Sequence, residues 1–411
     1  MDMNRRTLLT LAGGLAARGM ARAFAPRKRI AILNTVYRRN SHADVISGRL
    51  IEGYEYGGKH HPPAFDVAAM YTVQYPANDL SRAMAAKHGI PVAASVREAL
   101  LAGGKTLGVD GVVFVGEHGD YPYNEKHQHL YPRYEIFKQI VDVFRETGRS
   151  VPVYSDKHLS YDWEKAKWMY DQSRELKFPL MAGSSVPLAW RRPPLELPMG
   201  CSIEHAVSVG YGELDAYGFH TLETLQCMVE RRKGFETGIA AVECLEGDAV
   251  WKYNRENPKS RELMEAAMAR CERRKPGALE QIVKDPAVFL LEYRSGLKTA
   301  TYILNGAQEG FTFAASLTGQ SQPVSTEMWL QPGRYYAHFS GLVYYIERLI
   351  LTGREQYPVE RTLLTTGALA AALDSGYQKG KRLETPYLNV TYKPVKASLY
   401  NQGPVPATTN D

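Results

Sequence analysis

Arg29-Ile30-Ala31-Ile32-Leu33 runs into Asn34-Thr35-Val36-Tyr37-Arg38-Arg39-Asn40-Ser41-His42, and a helical pattern then continues into Arg49–Tyr54. The first five residues read as a short buried strand, closed by a polar turn. The same grammar recurs downstream. Phe65–Thr72 is a second apolar strand, and Asp79–His88 a helix with Asn78 or Asp79 as its cap. Gly89–Val92 reads as a short strand and Ser95–Leu101 as a short helix opened by a serine. Val109–Val115 is the clearest buried strand in the chain, and it ends in Gly116-Glu117-His118-Gly119-Asp120. Tyr131–Thr147 is a long amphipathic helix. Val151–Tyr154 is the next strand and ends in Ser155-Asp156-Lys157-His158; Asp162–Leu176 is a helix and Pro179–Ala182 a strand. Strands alternating with helices of this length predict a parallel sheet with crossover helices over residues 26–182, a Rossmann-like domain.

Beyond residue 183 the pattern changes. Pro193, Pro194 and Pro198 mark a connection, and Tyr217–Arg231 is helical. Gly238–Leu245, Ala287–Tyr293, Lys298–Leu304, Gly310–Leu317 and Val324–Leu330 read as successive strands separated by turns. They predict a C-terminal α+β domain, residues 183–392, built on an open, mainly antiparallel sheet. Its last helices, within 337–377, are expected to pack back toward the first domain. Residues 393–411 read as an extended tail.

The 411 residues suffice for two cores, and 44% apolar with 23% charged content is ordinary for a globular protein. The net charge is +6, of which the first 25 residues carry half, with four Arg and one Asp. No basic run points to nucleic acid. Asn4-Arg5-Arg6-Thr7-Leu8-Leu9, a mildly apolar stretch and Ala23-Phe24-Ala25 look like a twin-arginine export signal, residues 1–25, which implies a periplasmic or exported protein. No segment is long and apolar enough for a stable membrane span. The four cysteines, Cys201, Cys227, Cys244 and Cys271, form no C-x-x-C pair, which argues against a cysteine-based zinc site.

In a dinucleotide-binding fold the turn after the first strand carries G-x-G-x-x-G, so that the backbone can approach the pyrophosphate at a helix N-terminus. Here no glycine appears between Asn34 and Ser47. The second strand ends in Tyr71-Thr72-Val73-Gln74, without the carboxylate that would take the ribose hydroxyls. If a nucleotide binds, Asn34, Thr35, Tyr37, Arg38 and Arg39 are the residues to hold it, the two arginines neutralising phosphate that the backbone no longer cradles.

Five stretches in order resemble the family of glucose–fructose oxidoreductase and inositol dehydrogenase. They are Leu80–Val92 with Ser95–Leu100, Val109–Val113, Gly148–Lys157, Tyr217–Glu223, and Arg354–Val359 with Ser375–Arg382. The resemblance spans roughly residues 27–390. It implies an NAD- or NADP-dependent oxidoreductase acting on a sugar or polyol; outside the cytoplasm, where free NAD is scarce, the nucleotide would have to be held tightly. It matches Lys157 to the family's lysine, which faces the nicotinamide ribose and the reacting hydroxyl. It matches His220 to a histidine that takes the hydroxyl proton as hydride leaves. The family's aspartate falls on Ala216, with Asp215 one residue away.

The densest polar cluster, Glu117–His129, begins at the carboxyl rim of the sheet beside Lys157. Glu117 and His118 are candidate catalytic groups. Asp120, Asp156 and His158 are candidate substrate-binding residues, joined by Trp190 and Arg191, whose ring face and donors suit a carbohydrate. Glu117, His118 and Asp120 with His158 or His220 offer an alternative, a divalent metal site. Two further readings follow from the same residues: a nucleotide-free lyase, isomerase or hydrolase using the Glu117–Asp120 loop, and a non-catalytic carbohydrate-binding protein. An open sheet face also invites a homo-oligomer.

Overall fold

The computed structural model describes residues 26–333 and 336–407, so the twin-arginine motif and its cleavage site lie outside the described residues. Strand β1 (Arg29–Asn34) forms as the pattern predicts, and Ile30, Ala31, Ile32 and Leu33 are wholly buried. Both faces of a parallel sheet are covered, which is why a strand of this kind is apolar throughout. Ala31 and Leu33 face one core and Ile30 and Ile32 the other. After β1 come helix α1 (His42–Glu52), the hairpin β2 (Tyr54–Tyr56) and β3 (Lys59–His61), β4 (Asp66–Thr72), α2 (Ser81–His88) and α3 (Val96–Leu101). Then follow β5 (Gly111–Val115), α4 (Arg133–Thr147), β6 (Val153–Asp156), α5 (Trp163–Glu175) and β7 (Leu180–Gly183). The strand order is β4-β1-β5-β6-β7, all parallel, with β5 at the centre. Ser95 acts as the cap read from sequence, its Oγ accepting the Glu98 N–H at 3.1 Å, whereas the α2 cap is Leu80 and Asp79, one residue earlier, accepts the Ser81 N–H at 3.2 Å. Gly89–Val92 forms no strand. Pro91 has no N–H to give a ladder, and only an isolated bridge joins Met70 to Val92.

The second sheet has eight strands: β8 (Trp190–Arg192), β9 (Ile203–Gly210), β10 (Ile239–Glu246), β11 (Ala287–Tyr293), β12 (Lys298–Ile303), β13 (Phe311–Leu317), β14 (Val324–Trp329) and β15 (Leu383–Glu384). Their order is β15-β10-β11-β12-β9-β13-β14-β8, antiparallel except where β9 runs parallel to β12. Helix α6 (Ala216–Val229) and helix α11 (Val359–Tyr377) lie against one face of this sheet. Residues alternate along each strand. Ala206 of β9, Phe289 of β11 and Phe313 of β13 join that core, while Val207, Val288 and Ala314 point to the opposite face. That opposite face is not open. Helices α7 (Asp248–Glu256), α8 (Pro258–Met268) and α9 (Leu279–Ile282) cover it with Trp251, Leu263, Met264 and Met268.

Helix α10 (His338–Thr352) returns to the first sheet and packs on α1. Tyr56 of the hairpin stacks on Tyr344 of α10, ring centroids 4.8 Å apart. Residues 393–407 run without helix or strand and are tied down. Asn401 donates its N–H to Leu188 at 3.0 Å, Gly403 accepts the Trp190 indole at 2.7 Å, and Pro406 accepts the Gln331 amide at 2.6 Å. Gly403 lies backbone to backbone on Gly57 of the hairpin turn. Cys201, Cys227, Cys244 and Cys271 are free thiols. Among the described residues no helix is long and apolar enough to cross a membrane.

Candidate functional site

The carboxyl ends of β5, β6 and β7 open into a cleft of about 850 Å³, whose other wall comes from β13, the start of α6 and the start of α10. Glu117 follows β5 and Lys157 follows β6. Lys157 has a left-handed backbone, φ 63°, and its N–H is held by the Gly183 carbonyl at 3.3 Å. A lysine accepts this conformation only where its surroundings hold it there. Glu117 Oε1 lies 3.4 Å from Lys157 Nζ, while Oε2 pairs with the Arg133 guanidinium. Burial alone would raise the Glu117 pKa, but Lys157 and Arg133 outweigh it and hold this carboxyl well below the usual range. Glu117 is therefore a permanent anion that orients two cations.

Arg133 also reaches His158, Nη1 to Nε2 at 3.0 Å, so His158 Nε2 accepts and the ring is neutral. Burial, aided by Arg133, keeps the His158 imidazole well below its ordinary pKa. Asp215 stands just before α6. Its Oδ2 accepts the His129 N–H at 2.9 Å, while Oδ1 is buried with no hydrogen-bond partner. Burial pushes the Asp215 carboxyl up to about 6. His220, within α6, turns Nδ1 to the Ser184 hydroxyl at 2.6 Å, and the Tyr217 and Phe311 rings flank it at 6.0 and 5.7 Å. Burial, and next the nearby Lys157 charge, hold His220 well below its ordinary value. Burial likewise lowers His118 to about 4. His42 opens α1 and is fixed by Asp156, Nδ1 to Oδ2 at 2.7 Å. Arg38, Arg133, Lys157 and Arg273 face Glu117, Glu213, Asp215 and Glu309 around the cleft, so its formal charges balance.

No protein-family model matches the chain, and no curated protein sequence matches it. Solved structures do. GenD2 from gentamicin A biosynthesis, solved in complex with NAD, superposes with TM-score 0.56 at 15% identity, over 88% of this chain and 97% of that one. The myo-inositol 2-dehydrogenase of Lactobacillus plantarum gives 0.54 at 10% identity, over 87% and 99%. The scyllo-inositol dehydrogenase of Lactobacillus casei gives 0.52 at 11% identity, over 87% and 98%. The chain has the inositol-dehydrogenase fold. At these identities the likeness concerns the fold, and the chemistry rests on the residues.

On this dehydrogenase fold the structure brings Glu117, His118, Lys157, His158 and His220 to one cleft, with Arg38 at its edge. Other expected site residues are elsewhere. Tyr37 is a core residue with its ring wholly buried, and Asn34 and Thr35 are buried under the turn; Asn34 Oδ1 accepts the Ser47 hydroxyl, and Thr35 donates to the Glu117 carbonyl at 2.8 Å. Arg39 and Asp120 are exposed and do not line the cleft. Asp156 stands behind His42 rather than in the cleft wall. Trp190 and Arg191 sit on the edge strand β8, where the indole binds the tail and the guanidinium stacks over Tyr400 at 4.5 Å. They pack and do not meet a ligand in the cleft. Among the described residues no group of three His, Cys, Asp or Glu could hold a metal ion. Glu117 is instead paired with Arg133 and Lys157. The sequence reading missed His42, Arg133 and the cleft position of Asp215; the only signal for the last was its place one residue from the family's aspartate.

The turn after β1 differs from the glycine-rich seat that a dinucleotide has in this fold. A pyrophosphate needs free N–H groups at the helix N-terminus. Here Ser41 Oγ accepts the Arg38 and Asp44 N–H groups at 3.2 and 3.3 Å, and the Asp44 carboxylate accepts the Asn40 N–H at 2.9 Å. Asp44 also brings negative charge to the end that would face phosphate. Tyr37 fills the space above Gly48, where an added Cβ would lie 3.0 Å from its hydroxyl. Past β4, the Gln74 side chain is used in both directions on the Asp120 backbone, at 2.8 and 3.0 Å, which closes that rim.

Proposed function

We propose that this chain is an enzyme that acts on a small neutral carbohydrate, a sugar or polyol, by proton transfer in the cleft, with no dinucleotide in the fold's usual seat. Lyase or isomerase chemistry meets that description. The observation that carries the reading is the glycine-free turn: Tyr37 fills the space above Gly48, Ser41 Oγ takes the Asp44 N–H and the Asp44 carboxylate stands at the helix start, while the polar cleft beside it is intact. Balanced charge in the cleft favours an uncharged, hydroxyl-rich ligand over a phosphorylated one. Glu117 holds Lys157 in place, Lys157 faces developing oxygen charge, His118 and Asp215 supply proton-transfer groups, and His220 adds a polar contact. The neighbours' substrates, inositols in two cases, are of the same class.

A second reading keeps hydride transfer, with NAD or NADP displaced outward onto Arg38, which lines the cleft edge. One experiment separates the two. The protein, produced with its N-terminal segment, is weighed by native mass spectrometry and then titrated calorimetrically with NAD, NADP, myo-inositol and glucose. Heat with a polyol or sugar and none with either nucleotide is expected. A stoichiometric bound nucleotide, or binding abolished by Arg38→Ala, overturns the leading reading. We further propose export by the twin-arginine route, supported by Arg5 and Arg6. An Arg5→Lys, Arg6→Lys double variant that still leaves the cytoplasm as the unaltered protein does would refute it.

A further inference from the structure

We infer that His220 serves the ligand as a hydrogen-bond donor through Nε2, and that Ser184 is the positioning residue that fixes this tautomer. The inference rests on the proposed reading of the cleft and reverses the role that the resemblance implies for His220. Ser184 Oγ lies 2.6 Å from His220 Nδ1, and the same oxygen accepts the Val186 N–H at 3.0 Å. A hydroxyl has one proton to give. Among the described residues the acceptor in reach of that proton is Nδ1, so Nδ1 carries a lone pair and the neutral ring carries its proton on Nε2. Charging the ring is opposed by burial and by the Lys157, His42 and His158 side chains around it, with Glu117 acting the other way.

An Nε2–H cannot take a proton from a ligand hydroxyl, so the acceptor must be a different group. Asp215 lines the same cleft, is 4% exposed, and has an Oδ1 that meets no donor; His158 Nε2, at 3.9 Å, is itself an acceptor toward Arg133. In the step that follows, a ligand O–H bond breaks and its proton passes to Asp215 Oδ1. The negative charge left on the ligand oxygen meets the Nε2–H of His220 and the Lys157 ammonium. No electrons change hands.

The test is ¹⁵N NMR of the imidazole nitrogens in the whole protein, with His220→Gln used to assign the resonances. In the wild type the His220 Nδ1 is expected to show the shift of a bare nitrogen and Nε2 that of a protonated one, unchanged between mildly acid and neutral pH. Ser184→Ala is expected to lose that single-tautomer signature and give averaged shifts. A proton on Nδ1, or an imidazolium, overturns the inference. The wild-type spectrum decides even if Ser184→Ala fails to fold. It needs no ligand, so a failure here and a failure of carbohydrate binding are read separately.

Discussion

Arg133 is the largest fully buried side chain among the described residues, and its guanidinium serves both Glu117 and His158. Removing one partner of a buried ion pair leaves a charge without compensation. Arg133→Met is therefore expected to cost about 3–5 kcal/mol in urea unfolding, a loss typical of such pairs, with Glu117 left to Lys157 alone. Asp215 gives a pH-dependent counterpart. Burial raises its carboxyl from 3.8 to about 6, so ionising it costs more in the folded than in the unfolded chain. Its stabilising contribution is complete at low pH and is lost as pH rises through about 6. Asp215→Asn stays neutral. It should gain roughly 2–3 kcal/mol on wild type above that range, and the gain should vanish in acid. A gap independent of pH would contradict this. Glu117 and Lys157 were legible in the sequence because they end apolar strands, and strand ends of a parallel sheet meet at one rim. Arg133 and His42 were not, because a charge buried through partners distant in sequence leaves no local pattern.

The turn between β1 and α1 shows what an element retains when its key residues change. Its strand, polar loop and helix were all readable, and the missing glycines were visible at once. What replaced them was not, since it depends on Tyr37 turning inward and Ser41 and Asp44 turning back on the loop. The Tyr37 hydroxyl is buried without a hydrogen-bond partner. Tyr37→Phe is expected to be neutral or stabilising by up to about 1 kcal/mol, because an unsatisfied group is removed. Gly48→Ala brings a methyl to 3.0 Å from that hydroxyl and should cost about 1–3 kcal/mol by overpacking. In the Tyr37→Phe background the same change should instead stabilise, by up to about 1 kcal/mol, since Ala favours helix over Gly. Thermal unfolding of the two single variants and the double variant measures this reversal; additive effects would refute the contact. The strand β9 escaped the sequence reading for a related reason. Glu204, His205 and Ser208 interrupt its apolar run, yet it lies at the middle of the second sheet.

For the whole molecule, the division into a parallel and a mainly antiparallel sheet followed from the change of pattern near residue 183. The closure of the second sheet did not. The segment from Asp248 to Ile282 had no assignment in the sequence, and it is what covers the face expected to invite a second copy. Trp251, Leu263 and Met264 pack on that face and bury its apolar residues. The protein is expected to be a monomer by light scattering at micromolar concentration; a stable dimer would show that another surface serves. The tail bears on motion instead. It crosses from β8 to the hairpin turn at Gly57, and so joins the far edge of one sheet to the flank of the other. This lacing is expected to resist a clamshell opening of the two sheets, and removing residues after Tyr400 should loosen it, as hydrogen exchange of the Gly57 turn would show. With that motion restrained, a ligand is expected to use the standing mouth of the cleft, its arrival and departure timed by side chains at the entrance.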